Sequence, residues 1–124
     1  MSDQIQVMVR FEENATIIGL VGDVTTFAEE AVLKAYQDAS SDGAHNIIFN
    51  FRENDYINSA GIAILIGVVT EARKRDQRLL MTGLSNHFQK IFRMVGLTQY
   101  ADLYPTLQEA LASLNAESLP AELP

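Results

Sequence analysis

Residues 45–82 place a helix-like run between two strand-like runs, and this order limits the possible folds more than any other feature of the chain. Residues 45–51, HNIIFNF, are rich in β-branched and aromatic side chains, which favours a central strand. Residues 60–75 are apolar at first and cationic only in their last turns, where a helix C-terminus favours Lys and Arg. Residues 78–82 are strand-like again. Two strands joined through a helix lie parallel in one sheet, so the segment predicts an α/β fold.

The first part of the chain adds an antiparallel hairpin and another helix to this prediction. Residues 5–11 alternate apolar and polar side chains, as a half-buried strand does, and a second strand-like run follows after a three-residue turn. So short a connection suits an antiparallel pair, since a parallel pair needs a crossover of about a dozen residues. A capping box of Thr26 and Glu29 predicts a helix over residues 26–40, with Phe27 near its buried face.

The last part of the chain repeats the alternation of helix and strand. Residues 85–95 predict a helix, residues 99–103 a possible short strand, and a second capping box at Thr106 starts a final helix. The predicted order is ββαβαβα(β)α: a single domain with a mixed, mostly parallel sheet and about four helices. We expect the domain to occupy residues 1–114. Residues 115–124, with two prolines among the last five, are expected to form a flexible C-terminal tail.

Charge and composition exclude several classes of function. Nine Lys and Arg against sixteen Asp and Glu give a net charge of −7, which opposes binding to nucleic acid. The absence of cysteine excludes disulfides, thiolate chemistry and zinc fingers. The apolar part of the helix at residues 60–69 is too short for membrane insertion, which takes about 20 residues. Because the first residues also lack the features of a signal peptide, we expect a cytoplasmic protein.

The residue patterns of metal and nucleotide chemistry are missing from the sequence. His45 and His87 have no carboxylate or second histidine at the spacing of metal ligands. Neither a G-x-G-x-x-G motif nor a Walker A loop is present. We therefore expect no metal, no cofactor and no catalytic residues.

Asn58 and Ser59 stand at the start of the most apolar helix, directly after the most strand-like run. Ligands of open α/β sheets gather at this end of the strands, and a helix N-terminus stabilises phosphate. Ser59 is therefore a candidate phosphoacceptor. The alternative is that Asn58 or Ser59 only caps the helix, which contributes about 1 kcal/mol. A hydrolase with Ser59 as nucleophile is disfavoured, because the G-x-S-x-G elbow and a general base are missing.

Several segments together resemble the STAS domain of bacterial anti-sigma factor antagonists, also called anti-anti-sigma factors. The resemblance covers about residues 4–114, and its specificity lies in the order and spacing of the segments. The segments are Gly22-Asp23-Val24-Thr25, residues 46–51 (NIIFNF), residues 57–62 (INSAGI), residues 85–92 (SNHFQKIF) with Val95-Gly96-Leu97, and residues 107–111 (LQEAL).

This resemblance implies a fold and a function. The fold is a mixed sheet with an antiparallel first strand and helices mostly on one side. The function is partner switching: the unphosphorylated protein binds an anti-sigma factor that is also a serine kinase, which frees the sigma factor for transcription. A PP2C-like phosphatase resets the phosphorylated form. Carried over by position, the phosphoacceptor is Ser59, and the protein is a cytoplasmic monomer or weak dimer without enzymatic activity.

The resemblance also implies where the partner binds. The implied partner-binding residues are Asp23, Thr25, Asn58, Ala60, Gly61 and Ile62. Three departures from the family pattern lie there: Asn58 replaces the usual Asp, Ala60 replaces a common hydroxyl residue, and residues 22–25 read GDVT instead of GELD. The alternative function is a STAS module that is not phosphorylated and serves as a subunit of a membrane transport assembly.

Overall fold

The computed structural model describes residues 5–12, 14–53 and 55–117, and within them five strands alternate with four helices. The strands are β1 (Gln6–Phe11), β2 (Thr16–Val21), β3 (Asn46–Asn50), β4 (Arg78–Thr82) and β5 (Ala101–Tyr104). The helices are α1 (Glu29–Ser41), α2 (Ser59–Lys74), α3 (Asn86–Met94) and α4 (Leu107–Glu117). Short 3-10 turns at Thr26–Ala28 and Leu97–Gln99 precede α1 and β5.

The strands form one mixed sheet in the order β1-β2-β3-β4-β5. β1 is antiparallel to β2, and the other three neighbouring pairs are parallel. This confirms the predicted ββαβαβα(β)α order and its mixed, mostly parallel sheet. Because β2 and β3 are parallel neighbours, their carboxyl ends lie side by side. The loops before α1 and α2 therefore meet at this end of the sheet.

The two faces of the sheet are covered unequally, as in the predicted fold. α1, α2 and α3 cover one face and enclose the larger core, in which Phe49, Leu65 and Phe92 are fully buried. α4 covers part of the other face through Ala110 and Leu114. Within the described part of the chain, no helix is long and apolar enough to cross a membrane.

The start of α1 and the burial of β1 differ from the predictions. Thr25, not Thr26, caps the first turn, because its Oγ1 accepts a hydrogen bond from the N–H of Phe27 at 3.3 Å. The following 3-10 turn rotates Phe27 out of the helical face, so its predicted burial is wrong: the residue is 79% exposed. β1 is an edge strand exposed along most of its length, not a half-buried one, because helices cover only its beginning.

α4 extends into the segment that was predicted as a flexible tail. This helix is capped by Thr106, whose Oγ1 accepts from the N–H of Glu109 at 3.1 Å, and it reaches Glu117. Residues 118–124 lie outside the described residues. The flexible tail over residues 115–124 stays a prediction.

Candidate functional site

Two loops at the carboxyl ends of β2 and β3 are joined by backbone hydrogen bonds. The N–H of Val24 donates to the carbonyl of Tyr56 at 2.8 Å, and the N–H of Asn58 donates to the carbonyl of Val24 at 3.2 Å. These bonds form a short parallel bridge between Val24 and Ile57. Asn58, directly before α2, is therefore fixed to the loop that precedes α1.

Two aspartates add a second set of bonds between the same loops. Asp23 Oδ1 accepts from the N–H of Tyr56 at 2.9 Å, and Asp55 Oδ2 accepts from the N–H of Gly22 at 2.9 Å. Gly22 has a positive φ of 115°, which suits glycine. Asp23, predicted as a partner-binding residue, is exposed and also holds the loops together.

Gly61 brings the first turn of α2 into contact with the loop after β2. A Cβ atom at this position would lie 2.1 Å from the Val24 carbonyl oxygen and 2.9 Å from Ile57 Cγ2. Only glycine permits so close an approach. Gly61, another predicted partner-binding residue, is buried, and the structure gives it the role of positioning α2.

Asn58 caps α2, and Ser59 does not. Its Oδ1 accepts from the N–H of Gly61 at 2.9 Å, and its extended backbone, with φ −91° and ψ −177°, is typical of an N-cap. Ser59 is the first residue of the helix and is exposed. Among the described residues its hydroxyl has no hydrogen-bond partner, so Ser59 contributes nothing to the cap.

The N-terminal turn of α2 is electropositive. The N–H groups of Gly61 and Ile62 bond to Asn58, which leaves those of Ser59 and Ala60 without a partner in the described part of the chain. The turn contains no acidic residue that would neutralise the positive end of the helix dipole. An anionic group on the Ser59 hydroxyl would therefore lie beside unbonded amide donors.

Tyr56, in the loop directly before this turn, is exposed, and so is Phe27 in the 3-10 turn before α1; the sequence predicts neither as a partner-facing residue. Phe27 is 79% and Tyr56 is 56% exposed, and the Tyr56 ring packs edge-on against Phe88 with centroids 5.8 Å apart. The only sequence signal for Tyr56 is its place directly before the INSAGI segment. Phe27 gave none, because its spacing matches a buried helical face.

We call the exposed and half-buried residues around the start of α2 the switch surface. Its members are Asp23, Thr25, Tyr56, Ser59 and Ala60. A shallow cleft lined by Thr26, Glu29, Ala60, Ala63 and Ile64 joins the starts of α1 and α2. Of the other predicted partner-binding residues, Asn58 and Ile62 are half-buried, and Ile62 packs against the core. The fold thus places the predicted residues in two neighbouring loops and one helical turn.

Replacing the cap should destabilise the domain. We expect Asn58→Ala to lower the free energy of unfolding by about 1 kcal/mol, because the N–H of Gly61 loses its acceptor. Urea unfolding followed by circular dichroism measures this change. Asn58→Asp keeps an acceptor in the same place and should leave stability close to that of the wild type.

Ser59→Ala is the matched control for the cap. Because the Ser59 hydroxyl bonds to no described residue, its loss should change the free energy of unfolding by less than about 0.5 kcal/mol. A loss equal to that of Asn58→Ala would mean that Ser59 shares the capping role.

The described residues contain no group of three or more His, Cys, Asp or Glu side chains arranged to hold a metal ion. His45 lies beside the start of β3 and His87 in the first turn of α3, at different elements of the fold. The His87 ring packs against Phe88 with centroids 5.0 Å apart.

The sequence of this chain matches one protein family and several known proteins. A family model described as STAS domain matches residues 6–110. An anti-sigma-B factor antagonist of Staphylococcus aureus is 21% identical to the chain over 76 residues, which cover 61% of this chain and 70% of that protein.

Two solved structures share the fold over most of their length. An anti-sigma factor antagonist from Mycobacterium paratuberculosis superimposes with a TM-score of 0.78 at 18% identity, covering 93% of this chain and 97% of that one. The Bacillus cell fate determinant SpoIIAA in its phosphorylated form gives a TM-score of 0.65 at 21% identity, covering 89% and 98%. At such identities the likeness establishes the fold alone.

Proposed function

Because this chain belongs to the STAS domain family, we propose that it is an anti-sigma factor antagonist. In its unphosphorylated form it binds and sequesters an anti-sigma factor, and sigma-factor-dependent transcription follows. The name of the Staphylococcus aureus relative and that of the Mycobacterium paratuberculosis structure support this role. With a net charge of −7, the protein acts on transcription through a protein partner and does not bind DNA.

The observation that carries the proposal is the exposed, unbonded hydroxyl of Ser59. Its hydroxyl is exposed at the first position of α2, and the cap is supplied by Asn58. A kinase can reach this hydroxyl without breaking a hydrogen bond of the described structure. The two unbonded N–H groups beside it favour a phosphate there. Ser59 is therefore the phosphoacceptor in our account.

A phosphate on Ser59 changes the surface that binds the partner. It adds a charge of about −1.5 to −2 to the surface that also exposes the ring of Tyr56. Exposed aromatic side chains are common anchors of protein interfaces, where they are buried away from water. Burying a phosphate along with them requires its desolvation, which the unphosphorylated form does not need. The phosphorylated form therefore releases the anti-sigma factor.

The partner that binds this surface is also the kinase that modifies it. A PP2C-like phosphatase removes the phosphate and returns the protein to its binding form. The phosphorylated Bacillus structure, which has the same fold, supports phosphorylation as part of the cycle. The chain itself is the substrate of this chemistry, and the kinase and the phosphatase supply the catalysis. Its place of action is the cytoplasm.

The alternative is a STAS module in a membrane transport assembly. In that role the domain is structural, and Ser59 takes up no phosphate. The neighbouring genes distinguish the two functions, since a serine kinase or PP2C-like phosphatase supports the switch and a transporter ATPase with a permease supports the assembly. The unbonded Ser59 hydroxyl favours the switch.

Incubation with the cognate serine kinase and ATP tests the proposed function. We expect one phosphate per chain, located on Ser59 by tandem mass spectrometry of peptides. Ser59→Ala should take up none. Ser85→Ala should be phosphorylated like the wild type, because the Ser85 hydroxyl is occupied as the cap of α3 at 3.2 Å from the N–H of Phe88. Phosphate on another residue, or none, would contradict the proposal.

A further inference from the structure

The edge of the sheet formed by β1, here called the outer edge, exposes a cluster of apolar side chains. Nine large apolar residues of the described chain are exposed, and four of them, Met8, Val9, Phe11 and Phe27, lie on or beside β1. Edge strands of monomeric proteins are usually protected by charges, bulges or proline. β1 carries only one charged residue, Arg10, and Glu12 neutralises it at 2.9 Å.

The backbone of this edge is regular and open. The N–H of Glu12 donates to the carbonyl of Ala15, so even-numbered residues of β1 direct their backbone groups toward β2. The odd-numbered residues, from Ile5 to Phe11, direct theirs outward. In the described part of the chain, no strand pairs with this outer edge.

We propose that β1 pairs with β1 of a second copy of this chain, antiparallel and across a twofold axis. Outward-facing residues must pair with outward-facing residues, so an odd residue always lies opposite an odd one. The register that pairs the whole run from residue 5 to residue 11 sets Met8 opposite Met8 of the second copy. It also sets Val7 opposite Val9 and Ile5 opposite Phe11. The two sheets become one continuous sheet of ten strands.

The side chains complement each other in this register. Odd residues of β1 lie on the face covered by α1, because Val7 packs against the core there. A groove between β1 and α1 is lined by Ile5, Phe27, Glu30, Ala31 and Lys34. Phe11 of the second copy lies opposite Ile5 and fills this groove. Pairing thus covers exposed side chains that a monomer leaves in water.

Charge does not oppose this contact, although each copy carries −7. The Arg10 and Glu12 side chains form an ion pair on the strand, and the groove contains one anion and one cation. Within residues 5–11, no like charges face each other across the proposed strand pair. The edge is therefore a nearly neutral part of an acidic protein, which suits association with another copy.

Disulfide trapping tests the pairing and its register. The chain has no cysteine, so Met8→Cys introduces a single thiol. In the proposed register the two thiols lie in a non-hydrogen-bonded pair with Cα atoms about 4.5 Å apart, within disulfide range. We expect a covalent dimer under mild oxidation. Gln6→Cys is the matched control, since its two thiols would be about 13 Å apart and would not bridge.

A second measurement does not depend on oxidation. In sedimentation velocity over two orders of magnitude in concentration, the wild-type mass should rise toward twice that of the chain. Val9→Pro removes an outward N–H that β2 does not use, and should stay monomeric with an unchanged circular dichroism spectrum. Met94→Lys, on a distant exposed residue, should associate like the wild type.

Either of two results overturns the proposal. One is a wild-type chain that remains monomeric at every concentration. The other is cross-linking of Met8→Cys that does not exceed that of Gln6→Cys.

Discussion

Ser59→Asp is expected to weaken binding of the anti-sigma factor by about 100-fold, or ~2.7 kcal/mol. The carboxylate stands at the first position of α2, where the wild-type hydroxyl is exposed. Binding would bury this charge on the switch surface, and the cost of removing it from water falls on the complex alone. Isothermal titration calorimetry of both proteins against the same anti-sigma factor measures the difference.

Two variants separate the position of the charge from its presence. Ser59→Ala should bind within about twofold of the wild type, because the hydroxyl bonds to no described residue. Asn58→Asp adds the same charge one residue earlier, but its side chain turns inward to the N–H of Gly61. It should weaken binding much less than Ser59→Asp. Equal losses in the two acidic variants would show that net charge, and not the charge at residue 59, controls binding.

Gly61→Ala is expected to lower the free energy of unfolding by about 3 kcal/mol. The new Cβ would lie 2.1 Å from the Val24 carbonyl oxygen, which is backbone and cannot turn away as a side chain would. The loop after β2 must move, and the hydrogen bonds that join it to Tyr56 and Asn58 weaken with it. Urea unfolding measures the loss of stability. Because Asp23 and Thr25 lie in the same loop, anti-sigma factor binding should fall too.

Gly67→Ala is the matched control in the same helix. A Cβ at Gly67 meets nothing within 4 Å, so the variant gains helix propensity without a clash. We expect it to raise the free energy of unfolding by about 0.5–1 kcal/mol. Opposite signs for the two glycines would support the close contact at Val24. A Gly61→Ala variant as stable as the wild type would contradict it.

Local signals in the sequence were sufficient to predict the strands, the helices and their order. β4 occupies the predicted residues, Arg78–Thr82, because a run of apolar residues between polar ones leaves little choice of boundary. The hairpin of β1 and β2 followed from the length of its turn, and the parallel pairs from the helices between strands. The position of Ser59 at the start of α2 followed from the loop before it and the apolar run after it.

Contacts between distant residues were beyond such reasoning. Asp23 and Asp55 bond to backbone groups 33 residues away, and no pattern near either residue marks them as loop clamps. The choice of Asn58 over Ser59 as cap depends on side-chain direction, for which both residues are suited in sequence. Phe27 has the spacing of a buried helical residue, but the 3-10 turn before α1 exposes it.

The most direct test of the phosphorylation switch compares one preparation of the chain before and after phosphorylation of Ser59. Each form is titrated with the anti-sigma factor in a calorimeter, and the PP2C-like phosphatase is then added to the phosphorylated sample. We expect that the unphosphorylated form binds, that the phosphorylated form does not, and that the phosphatase restores binding. Equal affinity of the two forms would contradict it.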